Sequence, residues 1–347
     1  MTLILIVVST KPATTLYLME VILFLRVVKT LIGVFGIVGN GLVCLVIFRV
    51  PFMHTVTNAF IFHQAAIDLM ASLFLLLHAN IPDPDPIPSG LAGSIFCRLW
   101  NGHVILWILL VASTFNLVVL TMERYIAIVF PFRYETLFNS RVNAIILIML
   151  WILAIGYKSV DIARYGYENG TCVFLEVSWK KELGLIVFFV EYLIPLLVMI
   201  FAYGWIIVIL KQSAKRLTTG LSSISTTATS KSKSTTIPSN SLGGSLMKAR
   251  RNTFKTLLIV FLVFALCWTP NQIVFLIFNF GHPVEYSSAG YITTVCMASA
   301  NCCVNPVVYA MKYRQFRKGV RKCFGINIAV ENGSTSAVDT EINLPQS

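Results

Sequence analysis

The sequence predicts an all-α membrane protein, a bundle of seven transmembrane helices followed by a short amphipathic eighth helix. Hydrophobic residues make up 56% of the 347 residues and charged residues only 12%, about half the charged fraction of a soluble domain. Seven stretches are apolar over about 20 residues, the length of helix that crosses a bilayer. A membrane barrel would instead show short alternating strands. The composition therefore excludes an ordinary soluble enzyme.

The seven predicted spans differ in how far charged residues interrupt them. The second is broken only by Asp68, the apolar run Leu183–Leu210 of the fifth is broken only by Glu191, and the short fourth span extends past Lys158 and Asp161. A polar group within a span is costly and so indicates function. The predicted spans are 19–48, 55–81, 97–129, 141–163, 181–211, 248–279 and 286–311.

The connections complete the predicted organisation. A short N-terminus, 1–18, precedes the first span. The alternating Pro and Asp residues of 82–88 predict a stiff extended loop. The Ser- and Thr-rich stretch 212–247 has too few apolar residues to fold and is predicted to be disordered.

Basic residues give the expected orientation. Most of the 27 Lys and Arg residues fall in the second, fourth and sixth connections and after the seventh span. The positive-inside rule therefore predicts an extracellular N-terminus and a cytoplasmic C-terminus in a multi-pass plasma-membrane protein. Since topology explains the net charge of +12, no nucleic-acid partner is expected.

The segment 312–324 reads KYRQFRKGVRKCF. Phe316, Val320 and Phe324 share one helical face among basic residues, which predicts an amphipathic helix at the lipid surface. Cys323 is a candidate palmitoylation site there. An ordinary solvated basic tail is the alternative for this segment, and 325–347 is predicted to be a cytoplasmic tail.

Polar side chains within the spans form a candidate ion site. Asp68, Ser113, Asn301 and Asn305 are expected at similar depth, and a buried carboxylate needs a partner or a proton. A small-cation site and a hydrogen-bonded packing network both remain open. The sequence contains no phosphate loop, HExxH, GxSxG or paired Cys-x-x-Cys, so we expect neither an enzyme nor an organic cofactor.

A series of short motifs resembles the rhodopsin-like (class A) G-protein-coupled receptors from Ile32 to Phe324. Each motif is weak alone, but all of them occur in the family's order. They are Gly39-Asn40, Asn58 with Asp68, Glu123-Arg124-Tyr125, Pro131-Phe132, Trp151, Pro195 with Tyr203, FALCWTP at 264–270 and NPVVY at 305–309.

The resemblance implies a receptor that passes agonist binding in an outer cavity to a heterotrimeric G protein at the cytoplasmic face. In this scheme a sodium-type network at Asp68, Ser113, Asn301 and Asn305 collapses on activation, and arrestin is a further candidate partner. The implied switch residues are Phe264, Trp268, Asn305, Pro306 and Tyr309. The implied coupling residues are Glu123, Arg124, Tyr125, Phe132 and Tyr203.

Some positions depart from the family pattern, and three of them concern the third helix and the ion site. Cys97 lies 27 residues before Arg124, where the family shows about 25, which predicts a bulge at the outer end of the third helix. Cys302 replaces a common Ser, and Leu109 replaces a common Asn. Both replacements weaken the case for sodium.

The expected ligand is an extracellular peptide. The acid of amine receptors would fall at Leu106 and the retinal-binding Lys at Ser299, and neither is present. Stretches such as CWTPNQIVFLIFNFG resemble invertebrate neuropeptide receptors of the galanin, allatostatin and somatostatin branch. A chemosensory or metabolite receptor of the same fold is the alternative, and a secondary transporter is a remote one.

The predicted ligand contacts are polar or aromatic residues near the outer ends of the spans, namely Lys29, His78, His103, Asp161, Glu191, Asn271, Gln272, Phe275 and Tyr291. Glu191 lies one turn before Pro195, in the outer half of its helix. It could pair with a cationic group of the ligand, or with Lys158 or His103 in a structural role.

Two modifications are expected on the outer side. The resemblance implies a disulfide between Cys97 and Cys172, in agreement with the oxidising compartment that the orientation predicts. Asn169-Gly170-Thr171 is an outer glycosylation sequon, so Asn169 is a candidate acceptor.

Overall fold

The computed structural model describes residues 12–175, 178–225, 240–282 and 288–326. Seven of its helices are long and apolar enough to cross a membrane, which confirms the predicted bundle. We call them the first to seventh spans. They are Met19–Arg49, Val56–Asn80, Gly90–Val129, Ser140–Arg164, Lys181–Ser213, Thr253–Asn279 and Gly290–Lys312.

Several helices run further than the sequence predicts. The first begins at Pro12, within the predicted N-terminal segment 1–18. The fifth continues to Ser225 and the sixth begins at Asn240, so both enter the stretch 212–247 that is predicted to be disordered. Good helix formers such as Lys211 and Gln212 let the fifth helix continue past its apolar part. Residues 226–239 and 327–347, which hold most of the predicted loop centre and tail, lie outside the described residues.

The third and fifth spans each contain a π-helical turn. In the third, helix Gly90–Ile95 passes into the π turn Phe96–Asn101, and regular helix resumes at Val104–Val129 after His103, whose φ is +54°. A π turn accommodates extra residues, so the bulge predicted from the Cys97 spacing is confirmed. In the fifth, the π turn Phe189–Leu193 lies between helices Lys180–Phe188 and Ile194–Ser225.

A β-hairpin between the fourth and fifth spans is absent from the sequence prediction. Strands Tyr165–Glu168 and Thr171–Phe174 pair antiparallel. Asn169 and Gly170 between them both have positive φ, 49° and 81°, and Asn-Gly is the strongest signal of a two-residue hairpin turn. The predicted disulfide joins Cys172 of the hairpin to Cys97 of the third span. We call this end of the bundle the disulfide end.

The opposite end, which we call the Arg124 end, carries the eighth helix. This helix spans Arg314–Cys323. Its Phe316 is buried, Val320 packs against the main core, and Phe324 remains exposed. Just before it, the Tyr313 hydroxyl donates to Asn58 Oδ1 at 2.7 Å, which anchors the helix to the second span.

The outer surfaces of the spans are apolar. Phe35, Val38, Phe48 and Leu266 are each more than 60% exposed. A helix that is hydrophobic all round is expected where lipid replaces water. The buried polar groups lie instead inside the bundle, where they form the sites described next.

Candidate functional site

A cavity of about 550 Å³ lies at the disulfide end, a size typical of ligand pockets. The hairpin and the fourth, fifth and sixth spans contribute to its lining. Five of the nine predicted ligand contacts line it: Asp161, Glu191, Asn271, Gln272 and Phe275. Other lining residues, including Trp107, Arg164, Phe174 and Lys181, are not among the predicted contacts.

A chain of alternating charges crosses one wall of this cavity. Lys158 Nζ lies 2.5 Å from Glu191 Oε1 and 3.1 Å from Asp161 Oδ2. Arg164 Nη1 lies 3.6 Å from Asp161 Oδ1. The Lys158 and Glu191 side chains are each only 5% exposed. Glu191 lies in the π turn of the fifth span, so that local irregularity positions the carboxylate. Its charge is already paired within the protein, as the structural alternative predicts.

The other four predicted contacts lie outside the lining of the cavity. His103 does not reach Glu191, because its ring stacks on that of His78 with centroids 4.1 Å apart. The His78 ring also lies 4.0 Å from that of Trp100. Lys29 and Tyr291, in the first and seventh spans, are likewise absent from the lining. His103 has a left-handed backbone conformation just before regular helix resumes at Val104.

A buried polar core lies deeper in the bundle around Asp68. Asp68 accepts hydrogen bonds from Ser113 Oγ (3.0 Å to Oδ1) and Asn305 Nδ2 (2.8 Å to Oδ2). Gln64 Nε2 lies 3.1 Å from both carboxylate oxygens. Gln64 is not among the residues predicted for this site. Asn301 is buried, but the hydrogen bonds described at Asp68 do not include it.

The aromatic residues predicted as switches, Phe264, Trp268 and Tyr309, are buried inside the bundle. The rings of Phe264 and Trp268 lie 6.1 Å apart, and Pro270 and Pro306 lie inside their helices. Within the described residues, Trp268 Nε1 and the Tyr309 hydroxyl are buried without a hydrogen-bond partner.

Arg124 lies in a closed polar cluster at its end of the bundle. It pairs with Glu123 and hydrogen-bonds Thr57. Thr57 Oγ1 also donates to Glu123 Oε1 at 3.0 Å, and the Tyr134 hydroxyl donates to the same oxygen. Burial and the Glu123 charge raise the pKa of Tyr134. Thr57 and Tyr134 are not among the predicted coupling residues.

The other predicted coupling residues surround this cluster. Phe132 is 97% exposed. The Tyr203 and Thr121 hydroxyls lie 3.2 Å apart inside the bundle, and Tyr125 packs against Phe130 and Phe201. Aromatic residues are enriched in protein interfaces, so an almost fully exposed Phe132 marks a surface suited to a protein partner.

The fold and these sites define a membrane-spanning bundle of seven helices with a cavity at one end and a charged cluster at the other. The sequence profile described as "7 transmembrane receptor (rhodopsin family)" matches residues 39–309. The chain therefore belongs to the rhodopsin family, class A of the G-protein-coupled receptors, and is a multi-pass membrane receptor, not an enzyme.

Relatives of this chain include named peptide receptors. The chain is 28% identical to galanin receptor 2a of Danio rerio over 312 residues. The aligned region covers 87% of this chain and 78% of that protein. It is 26% identical over 304 residues to the allatostatin-A receptor of Bombyx mori, with 84% and 76% covered. It is also 28% identical to galanin receptor type 2 of Rattus norvegicus over 306 residues, with 85% and 74% covered.

Proposed function

We propose that this protein is a plasma-membrane receptor for a neuropeptide, which binds in the cavity at the disulfide end and activates a heterotrimeric G protein at the Arg124 end. The observation that carries the proposal is the cavity of about 550 Å³ beneath the hairpin. The galanin and allatostatin-A receptors among its relatives support a peptide as its occupant.

The cavity lining suits a peptide better than a small amine. Leu106 stands where an amine receptor would carry its acid, and the acids that line the cavity, Asp161 and Glu191, are paired with internal cations. Gln272 Oε1 is buried with no hydrogen-bond partner among the described residues. A peptide N–H group could satisfy this oxygen, while Phe275 and Trp107 offer apolar surface.

The proposed orientation places the disulfide end outside the cell and the Arg124 end in the cytoplasm. Disulfides persist in oxidising compartments, and basic residues such as Lys211, Lys312 and Arg321 favour the cytoplasmic side. The exposed Phe132 and the buried Arg124 then face the cytoplasm, where a G protein binds and where arrestin would compete for the same surface. The eighth helix would lie on lipid headgroups through its basic residues.

In physical terms the bundle is a two-state element that ligand and G protein bias from opposite ends. Opening at the Arg124 end requires the bonds among Arg124, Glu123, Thr57 and Tyr134 to rearrange. The guanidinium would then be free to donate to backbone carbonyls of the partner. The prolines at 270 and 306 supply the flexible points at which the sixth and seventh helices bend.

A screen of amidated peptides on cells that express the full chain tests the proposal. Calcium and cAMP are the readouts, and Arg124→Ala at matched surface expression is the control. We expect a peptide response that Arg124→Ala abolishes. A response confined to a parallel panel of metabolites would contradict the peptide assignment, and normal signalling by Arg124→Ala would contradict the coupling role.

A further inference from the structure

The carboxylate of Asp68 is surrounded by hydrogen-bond donors. Gln64 Nε2 lies 3.1 Å from each oxygen, Asn305 Nδ2 lies 2.8 Å from Oδ2, and Ser113 Oγ lies 3.0 Å from Oδ1. Gln64 and Asp68 are four residues apart on the second span, so they share one helical face. Both side chains are completely buried. The amide of Gln64 therefore occupies the space directly beside the carboxylate.

The orientation of the Gln64 amide is fixed by a chain of hydrogen bonds that begins at Trp151. An indole N–H can only donate, and Trp151 Nε1 lies 3.0 Å from His63 Nε2. The neutral His63 ring therefore carries its proton on Nδ1, which donates to Asn116 Oδ1 at 2.9 Å.

The chain continues through Asn116. Its Nδ2 donates to the Phe60 carbonyl at 3.1 Å and to Gln64 Oε1 at 2.8 Å. Because the amide oxygen of Gln64 is held by Asn116, its nitrogen must face Asp68. Rotating the Gln64 amide would place two oxygens against each other at Asp68 and two nitrogens against each other at Asn116.

This donor set does not fit a sodium ion. Hard cations are bound by the lone pairs of oxygen atoms, whereas every group that the structure describes on the Asp68 oxygens presents a hydrogen. The one hydroxyl of the set, Ser113 Oγ, is itself 2.5 Å from Gln64 Nε2. Nearby, Leu109 offers no ligand, and the sulfur of Cys302 is too soft for such an ion.

We propose that the Gln64 side chain takes the place of a sodium ion at Asp68, so that this receptor is insensitive to sodium. The amide hydrogens place a permanent partial positive charge beside the carboxylate, where a bound cation would place its charge reversibly. Removal of the amide by Gln64→Leu, which keeps the size and apolar body of the side chain, opens the carboxylate to the ion. The proposal concerns the folded bundle and does not depend on the identity of the ligand.

Thermal unfolding of the purified full chain tests the proposal without any ligand or G protein. The unfolding midpoint is measured in sodium, potassium and choline chloride at equal ionic strength. We expect the wild type to unfold at the same temperature in all three salts. Gln64→Leu should be less stable in choline, and sodium, but not potassium, should raise its midpoint in a saturable way, because a ligand that binds only the native state stabilises it.

Asp68→Asn, alone and combined with Gln64→Leu, removes the carboxylate. It therefore separates sodium binding at Asp68 from sodium binding at another place in the protein. A saturable sodium-specific rise in the wild type that Asp68→Asn abolishes would overturn the proposal. A folded Gln64→Leu protein that stays indifferent to sodium would also overturn it, because something other than the amide would then exclude the ion. If Gln64→Leu does not fold, Asn116→Ala, which frees the Gln64 amide to rotate, must acquire the sodium response instead.

Discussion

At the scale of single residues, the pair formed by Glu191 and Lys158 changes how the ligand cavity is understood. From the sequence, Glu191 could equally bind a cationic group of the ligand or a partner within the protein. The structure places Lys158 Nζ at 2.5 Å from its carboxylate, and both side chains are almost fully buried. Asp161 then neutralises the second side of Lys158. A ligand that pairs with Glu191 must first displace an internal cation.

We expect Glu191→Gln to destabilise the folded receptor by roughly 3 kcal/mol, the lower end of the cost of removing one member of a buried ion pair. The loss arises because Lys158 keeps its charge in a buried site with Asp161 as its remaining partner. The thermal midpoint of the purified receptor measures this effect. The exposed Glu182 on the same span is the matched control, and Glu182→Gln should leave the midpoint unchanged.

The double variant Glu191→Leu with Lys158→Met separates structure from binding. Replacing both members of a buried ion pair by apolar residues is often nearly neutral for stability, so we expect the double variant to be more stable than Glu191→Gln. Once a peptide agonist is known, its potency on this variant should fall by less than about threefold if the pair is structural. A roughly tenfold or greater loss at equal stability would restore Glu191 as a ligand contact.

At the scale of elements, the hairpin and the irregular third span determine the shape of the cavity. The π turn Phe96–Asn101 and the left-handed His103 bring Gly102 against the hairpin. A Cβ added at Gly102 would lie 2.6 Å from Cδ2 of the Tyr165 ring. Such close approach of backbone to an aromatic ring is possible only at glycine. The disulfide from Cys97 to Cys172 fixes the same two elements covalently.

Gly102→Ala is therefore expected to displace Tyr165 and the hairpin that covers the cavity. Overpacking of this kind costs about 1–3 kcal/mol, and here it falls on an element that lines the ligand site. We expect lower agonist potency at unchanged surface expression, measured by peptide-driven calcium release. Gly156→Ala in the fourth span is the matched control, since an added Cβ there meets no atom within 4 Å. Equal potency of both variants would show that the contact with Tyr165 does not shape the site.

At the scale of the whole molecule, the orientation in the membrane decides which modifications occur. Asn169 is exposed in the hairpin turn at the disulfide end, and Cys323 lies at the end of the eighth helix on the opposite side. A chain with its disulfide end outside exposes Asn169 to glycosylation and Cys323 to cytoplasmic acylation.

We therefore expect glycosidase treatment of the expressed receptor to increase its gel mobility, and Asn169→Gln to abolish that change.

In intact cells, a membrane-impermeant reagent should label a tag at the N-terminus and should not label one at the C-terminus. An N-terminal tag that is reached only after permeabilisation would reverse the proposed topology.

Acyl exchange should label Cys323, and the label should be lost in Cys323→Ser.

The residues that sequence reasoning placed correctly are those whose signal is local. The seven spans follow from runs of apolar residues, because a helix must satisfy its own backbone in lipid. The bulge in the third span followed from the spacing between Cys97 and Arg124, and the hairpin could have been found from Asn169-Gly170. Phe264, Trp268 and Tyr309 are buried in the bundle as their motifs imply.

The sequence by itself determined the membrane bundle and the family, because hydrophobic length, charge asymmetry and short motifs are properties of contiguous residues. The pairing of Cys97 with Cys172 followed only from the family resemblance, and the structure confirms it. Only the tertiary structure decided which polar side chains meet. Lys158 and Glu191 are far apart in sequence and lie on different spans. The same is true of Trp151 and His63, whose contact begins the series of hydrogen bonds that orients Gln64. In a bundle these encounters depend on helix rotation, π turns and the closeness of glycine contacts, and a shift of one residue turns a side chain by about 100° around the helix. The rotation of each helix likewise decides which predicted contacts reach the cavity. Its lining includes Glu191, Asn271, Gln272 and Phe275, and does not include Lys29, His78, His103 or Tyr291.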